Sequence, residues 1–207
     1  MTYSPKEELA NSLTHGIGAL LLMVAVPALI SWTVVHGSVT QVIGVSIFGF
    51  SMLLLYTAST LYHSITDPTL KRAFRLVDHI SIFFLIGGSY TPFMLTFLNN
   101  NTGYTVLAVI WGLAIVGIFY KIFFIGKNKW IGVTLYMLMG WLVVFVGKDI
   151  VEAMSAPALA WLIAGGLSYT IGVIFYRWKS LTYHHAIWHL FVLGGTASHY
   201  VALILSI

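Results

Sequence analysis

The sequence predicts an all-α integral membrane protein, a bundle of seven transmembrane helices with its N-terminus in the cytoplasm and its C-terminus outside. Three observations predict it. Of 207 residues, 59% are hydrophobic and only 8% charged, whereas a soluble domain carries roughly 25% charged residues. Uncharged stretches recur along the whole chain, each long enough to cross a hydrocarbon core of about 30 Å, which takes about 20 helical residues. Basic residues gather in alternate connections between these stretches. Seven spans and short loops use up the chain, so residues 1–207 read as one seven-helix membrane domain.

Taken in order, Ser4-Pro5-Lys6-Glu7 has the form of a capping box, with Ser4 as N-cap and Glu7 reaching back. It opens a helix that runs into span one, at about 16–35. No basic stretch, short apolar core and small-residue cleavage site precede that span, so the sequence predicts that it is retained. Span two follows at about 41–63. Asp67-Pro68 fits an N-cap with a first-turn proline, starting an amphipathic stretch that feeds span three at about 76–97. The next uncharged run, 79–120, would be about 63 Å long as one helix, twice the hydrocarbon thickness. Asn99-Asn100-Asn101-Thr102-Gly103 supplies the turn that divides it, and span four lies at about 104–125. Spans five, six and seven fall at about 130–147, 157–176 and 183–206. Ala160, Ala164, Ser168 and Gly172 on span six form a small-residue stripe expected to let a neighbouring helix approach.

Lys6, Lys71, Arg72, Arg75, Lys121, Lys127, Lys129, Arg177 and Lys179 fall at one membrane face, and only Lys148 falls opposite. The excess of positive charge on cytoplasmic loops therefore gives the predicted orientation in the cytoplasmic membrane. Lys71, Arg72 and Arg75 are expected among phospholipid headgroups. In this setting the basic pI of about 9.3 signals topology, and it implies no nucleic-acid partner. The chain has no cysteine, which removes disulfides and thiolate ligands. Any metal must then be held by histidine, carboxylate or water.

The polar residues sit at the span ends on the cytoplasmic side: Glu8, Asn11 and His15 at span one, Ser59 and His63 at span two, Asp78 at span three, His185 and His189 at span seven. Ionisable groups at a bilayer boundary are costly without partners, and the topology brings these into one layer. Side chains four apart share a helix face, so His185 and His189 can grip one ion, with His63 at the same depth. Three neutral imidazoles suit Zn²⁺ and leave a fourth position for water. Asp78 could orient that water or take its proton, while Ser59 could serve a developing oxyanion or Asp78 itself. Glu8, Asn11 and His15 would form an outer layer that fixes the ligands. His79 and His184 point away from the site residues beside them. His199 returns to the face of His185 but about 21 Å higher, where it is expected to hydrogen-bond between helices. A competing structural reading pairs Asp78 with Arg75, one turn away.

Glu8-x-x-Asn11-x-x-Thr14-His15, Ser59-x-x-x-His63 with Asp78 downstream, and His185-x-x-x-His189 resemble the three signature motifs of the progestin and adipoQ receptor family. The short region before span one is most similar to that of its bacterial haemolysin III branch. The resemblance covers essentially the whole chain. It implies a seven-helix fold with a cytoplasmic N-terminus, zinc on His63, His185 and His189, Asp78 beside the water, and kinship with membrane hydrolases of the alkaline ceramidase type.

The function expected from these residues is zinc-dependent hydrolysis of a lipid amide or ester, the lipid entering sideways between helices. Two alternatives belong to other classes. One is a cytolytic, pore-forming protein, as the haemolysin label of the branch implies. The other is a sensor or regulator of membrane lipid state in which zinc clamps spans two and seven.

Overall fold

The structure is a computed structural model that describes residues 3–124 and 129–207. The expected end of span four at 125, together with Lys127 and the Lys129 side chain, lies outside the described residues. Among those described, seven helical runs are long and apolar enough to cross a membrane. α1 (Pro5–His36), α2 (Val39–Ser64), α3 (Pro68–Phe97) and α4 (Asn101–Phe124) are continuous. The fifth run is built from α5 (Lys129–Trp141), a 3-10 turn (Leu142–Val146) and α6 (Gly147–Ala153), and α7 (Ala156–Arg177) and α8 (His184–Ile204) complete the set.

The helix starts follow from the cap chemistry. At α1 the Ser4 hydroxyl accepts from Glu7 N at 3.3 Å and Glu7 Oε2 accepts from Ser4 N at 2.9 Å, which is the reciprocal pairing of a capping box. Ser38 and Gln41 repeat it at α2. Asp67 Oδ1 accepts from Thr69 N and Leu70 N at 3.0 and 2.8 Å. In the asparagine turn, Asn100 Oδ1 takes Thr102 N at 2.9 Å and so starts α4.

The fifth span departs from the expected single helix ending near 147. It changes to 3-10 geometry and continues to Ala153, placing Lys148 and Glu152 on one helix face, 3.8 Å apart. Backbone groups freed inside a bilayer need partners within the protein. Tyr90 on α3 supplies them: its hydroxyl donates toward the carbonyls of Met139 and Gly140 at 2.9 Å and accepts from Val143 N at 2.8 Å.

α1 packs against α2 and α8, α3 against α2 and α4, and α7 against α8. The centre belongs to α2 and α3, in which 56% and 61% of the most apolar stretch is buried, against 17% in the fifth span and in α7. Gly88 lets α3 press against α2, since a Cβ there would lie 2.2 Å from Ser51 Oγ. The expected small-residue seam of α7 is displaced. Ala160 and Ala164 are exposed, whereas Ala158, Gly165 and Gly172 are buried. A four-residue repeat drifts by about 40° per step on a helix, while a seven-residue repeat drifts by only about 20° and stays on the partner. Gly165 accordingly meets Gly195 and His199 on α8.

Candidate metal centre

α1 is the organiser of the site. Its inward face carries Asn11, His15, Gly18 and Leu22 at alternating spacings of four, three and four, which keeps one stripe of the helix against α2 and α8. Glu8, one turn earlier, continues that stripe toward the helix start. On α2, Ser59 and His63 lie one turn apart and both are buried; on α8, His185 and His189 do the same.

This packing brings one ring nitrogen from each of His63, His185 and His189 into a group whose members all lie within 4.8 Å of one another. Their ring centroids are 5.1 Å apart for His63 and His185, 5.4 Å for His63 and His189, and 4.5 Å for His185 and His189. The α2 imidazole thus lies beside the α8 pair.

Hydrogen bonds on the far side of the rings fix which nitrogens face inward. His63 Nδ1 donates to Glu8 Oε2 at 2.6 Å, with Asn11 Nδ2 at 3.5 Å. His189 Nδ1 donates between the Asn11 carbonyl at 3.1 Å and the Thr14 hydroxyl at 3.0 Å. The Thr14 hydroxyl in turn donates to the carbonyls of Ala10 and Asn11. His63 Nε2, His189 Nε2 and His185 Nδ1 are left buried with no hydrogen-bond partner. Buried polar atoms are otherwise almost always paired. A neutral imidazole with its second N–H engaged is the arrangement in which histidine binds a metal; His63 and His189 have it, and with His185 Nδ1 as the third inward nitrogen the three residues fit a Zn²⁺ ion.

The structure places the remaining expected residues around this group. Asp78 is 6% exposed and stands outside the three-nitrogen group, within electrostatic reach of His63 and next to Ser59. Among the described residues it makes no ion pair with Arg75, so the competing pairing is not formed; His79 Nδ1 lies 3.5 Å from it. His79 itself donates from Nδ1 to the Arg75 carbonyl at 2.6 Å. His15 is fully buried and stacks face to face on His189, centroids 3.6 Å apart and planes 10° apart, with Tyr56 on its other side at 4.8 Å. It props His189 and stays outside the three-histidine group. His184 is buried but outside the group as well. His199 meets Phe93 and Tyr169 edge-on at 5.6 and 5.5 Å and stands beside the Leu162 backbone of α7, so it lies between helices and away from the histidine group.

Four participants escaped the sequence reading. Thr14 stands inside the first motif and holds His189. Lys71, expected among headgroups, turns inward and reaches Glu8 Oε1 at 3.0 Å and the Tyr62 and Ile65 carbonyls. Tyr3, ahead of α1, lays its ring over His185 at 5.1 Å and 27° and leans toward His63 and His184. Burial, then the neighbouring Tyr176 and Tyr62, raises its phenol pKa above the ordinary value, so the ring covers the group as a neutral cap. Lys121, read as a loop cation, is 7% exposed on α4. Only Thr14 had a local signal, its motif spacing.

Beside the histidines lies an apolar cavity of about 390 Å³, whose walls include Leu55, Ile82, Tyr136 and Trp188. Leu55 is one helical turn from Ser59 and Ile82 one turn from Asp78. The Trp188 ring is 4.9 Å from that of His185 and 5.2 Å from that of His189. The cavity therefore begins where the polar layer ends.

A family model described as "Haemolysin-III related" matches residues 3–200. Hemolysin-3 of Bacillus cereus is 46% identical over 197 residues, covering 95% of this chain and 90% of the relative. Hemolysin-3 homolog of Bacillus subtilis (strain 168) is 43% identical over 202 residues, covering 98% and 95%. More distantly, the human Monocyte to macrophage differentiation factor is 30% identical, covering 95% of this chain and 83% of the relative. No solved structure matches.

Proposed function

We propose that this chain, which belongs to the haemolysin-III-related family and is a multi-pass protein of the cell membrane, is a metal-dependent hydrolase of lipid amide or ester bonds. The observation that carries the reading is the junction of the two compartments. Three partnerless imidazole nitrogens and a buried carboxylate lie one helical turn or one ring contact from the walls of an apolar cavity of about 390 Å³. The distribution of Lys and Arg puts this junction in the cytoplasmic leaflet, at the depth of lipid ester and amide linkages, with the exposed Arg72 toward the headgroups.

His63, His185 and His189 are the residues that would hold Zn²⁺. When bound, the ion supplies Lewis acidity toward a carbonyl oxygen and makes water acidic near neutral pH. The chain's own residues do the rest. The cavity walls hold the acyl tail and exclude water, fixing the carbonyl at the polar end. Asp78 accepts the proton of the attacking water on a carboxylate oxygen and returns it to the departing amine or alcohol. Ser59 Oγ, buried beside Asp78, donates to the carbonyl oxygen as it gains charge. One acyl C–N or C–O bond breaks, and water divides between fatty acid and leaving group. Glu8, Asn11, Thr14 and His15 keep the ligand rings in place.

Purified zinc-loaded protein should release fatty acid from a lipid amide or ester. Asp78→Asn should abolish release with zinc content unchanged, and His63→Ala should lose both. Zinc-loaded protein that turns over no lipid amide or ester would overturn the reading. The name of the Bacillus cereus relative, Hemolysin-3, supports cytolysis as a second reading. Dye leakage from vesicles caused equally by the His63→Ala protein would favour it, since a pore has no need of these ligands.

A further inference from the structure

We infer that Lys121 and Arg75 form an anion site for the phosphate or carboxylate headgroup of a lipid whose tail lies in the apolar cavity. Lys121 is on α4, yet its side chain runs inward until a Cβ at Gly132 of α5 would lie 2.4 Å from Nζ. Glycine at this position leaves room for the ammonium against the α5 backbone. Nζ stands 5.5 Å from the centre of the Tyr136 ring, a distance at which the ring face attracts a cation. Among the described residues it has no hydrogen bond and no ion pair.

The charges around it do not cancel. Arg75, half-buried on α3, lies one turn before His79, whose carbonyl takes the hydroxyl of the same Tyr136 that faces Lys121, and Asp78 is the carboxylate on that turn; both are within coulombic reach of Lys121. Glu8 is already engaged by His63 and Lys71. Two cations against one carboxylate leave an uncompensated positive charge at the edge of the bilayer, and a buried charge without a counter-ion is expensive. An anionic ligand supplies the missing partner.

Tyr136 says where the rest of that ligand lies. Its ring receives the ammonium and also belongs to the cavity wall, while its hydroxyl donates to the His79 carbonyl at 2.8 Å and ties α5 to the segment bearing Asp78. An anion held by Lys121 and Arg75 thus sits at the mouth of an apolar chamber, which is the geometry of an ionic headgroup with an attached chain. The inference concerns binding and stands whether or not the ligand is cleaved.

The test is binding of two lipids of equal chain length, a monoacylglycerol phosphate and the uncharged monoacylglycerol, to the detergent-purified full chain, by native mass spectrometry. Inorganic phosphate serves as a third ligand, and fatty acid release is followed separately on the same samples. The wild-type protein should prefer the phosphate lipid at least about tenfold, equivalent to about 1.4 kcal/mol. Lys121→Met should erase the preference and leave the neutral lipid unaffected; Lys121→Arg should keep it. Gly132→Leu, which crowds the ammonium without removing it, should weaken the preference if Lys121→Met fails to fold. No preference in the wild type, or one unchanged in Lys121→Met or, where that protein fails to fold, in Gly132→Leu, would overturn the site. Inorganic phosphate binding as tightly as the phosphate lipid would overturn the assignment to a lipid headgroup.

Discussion

Glu8 accepts from His63 Nδ1 at 2.6 Å through one carboxylate oxygen and binds Lys71 Nζ at 3.0 Å through the other. The first helix thereby sets the tautomer of a ligand that stands on the second, and the start of the third holds the carboxylate in place. A carboxylate behind a ligating imidazole raises its basicity and fixes its direction. Glu8→Ala should weaken zinc binding by about 10- to 100-fold while leaving all three ligands in the chain. Competition titration against a chromogenic chelator measures this, and unchanged affinity would remove Glu8 from the site.

Tyr3 lies across the group from the N-terminal side, stacked on His185. Replacing it by alanine should speed zinc loss to a chelator roughly tenfold, equivalent to about 1.4 kcal/mol off the exchange barrier, whereas Tyr3→Phe should leave the rate near that of the parent. Stopped-flow chelation distinguishes the two. Equal rates in all three proteins would show that the ring is no cover.

The prospective ligands come from α2 and α8, which α1 bridges on its own inward face. Zinc binding only to the folded bundle should stabilise it by about 2.7 kcal/mol at a free concentration 100 times Kd. Thermal unfolding in detergent, with and without chelator, should show the loss in the parent and no response in His189→Ala. A parent insensitive to both zinc and chelator would count against any metal in this group.

Tyr90 satisfies three backbone groups at the irregular turn of the fifth span. Tyr90→Phe leaves them facing apolar surroundings and should cost about 1–3 kcal/mol. The loss should appear in denaturant unfolding without change in zinc content, because the hydroxyl is remote from the histidines.

Most of the helix layout was legible because a bilayer imposes a length and a polarity on every crossing, and caps such as Ser4 and Asp67 announce their own helices locally. The coming together of His63, His185 and His189 was legible for a related reason. Helices of fixed rise entering one face at known ends leave their terminal residues at one depth. The α7 seam was misread at Ala160 and Ala164 because spacing gives a stripe but no partner; the partner kept Ser168 and Gly172 and selected Ala158 and Gly165 in place of the other two. The extension of span five through Lys148 was hidden for a similar reason, since the hydroxyl that stabilises the irregular turn comes from α3.

By itself, the sequence determined the membrane class, the number of crossings and the layer in which the polar side chains gather, since all of these follow from hydropathy and helical rise. The tertiary structure alone decided that Glu8 serves His63, that His15 stacks on His189 and stays outside the three-histidine group, that Tyr3 covers the group, and that Lys121 and Lys71 point inward. Those outcomes depend on rotation of each helix about its axis and on which neighbour it meets. Both are set by packing between residues far apart in the chain, and no local spacing records them.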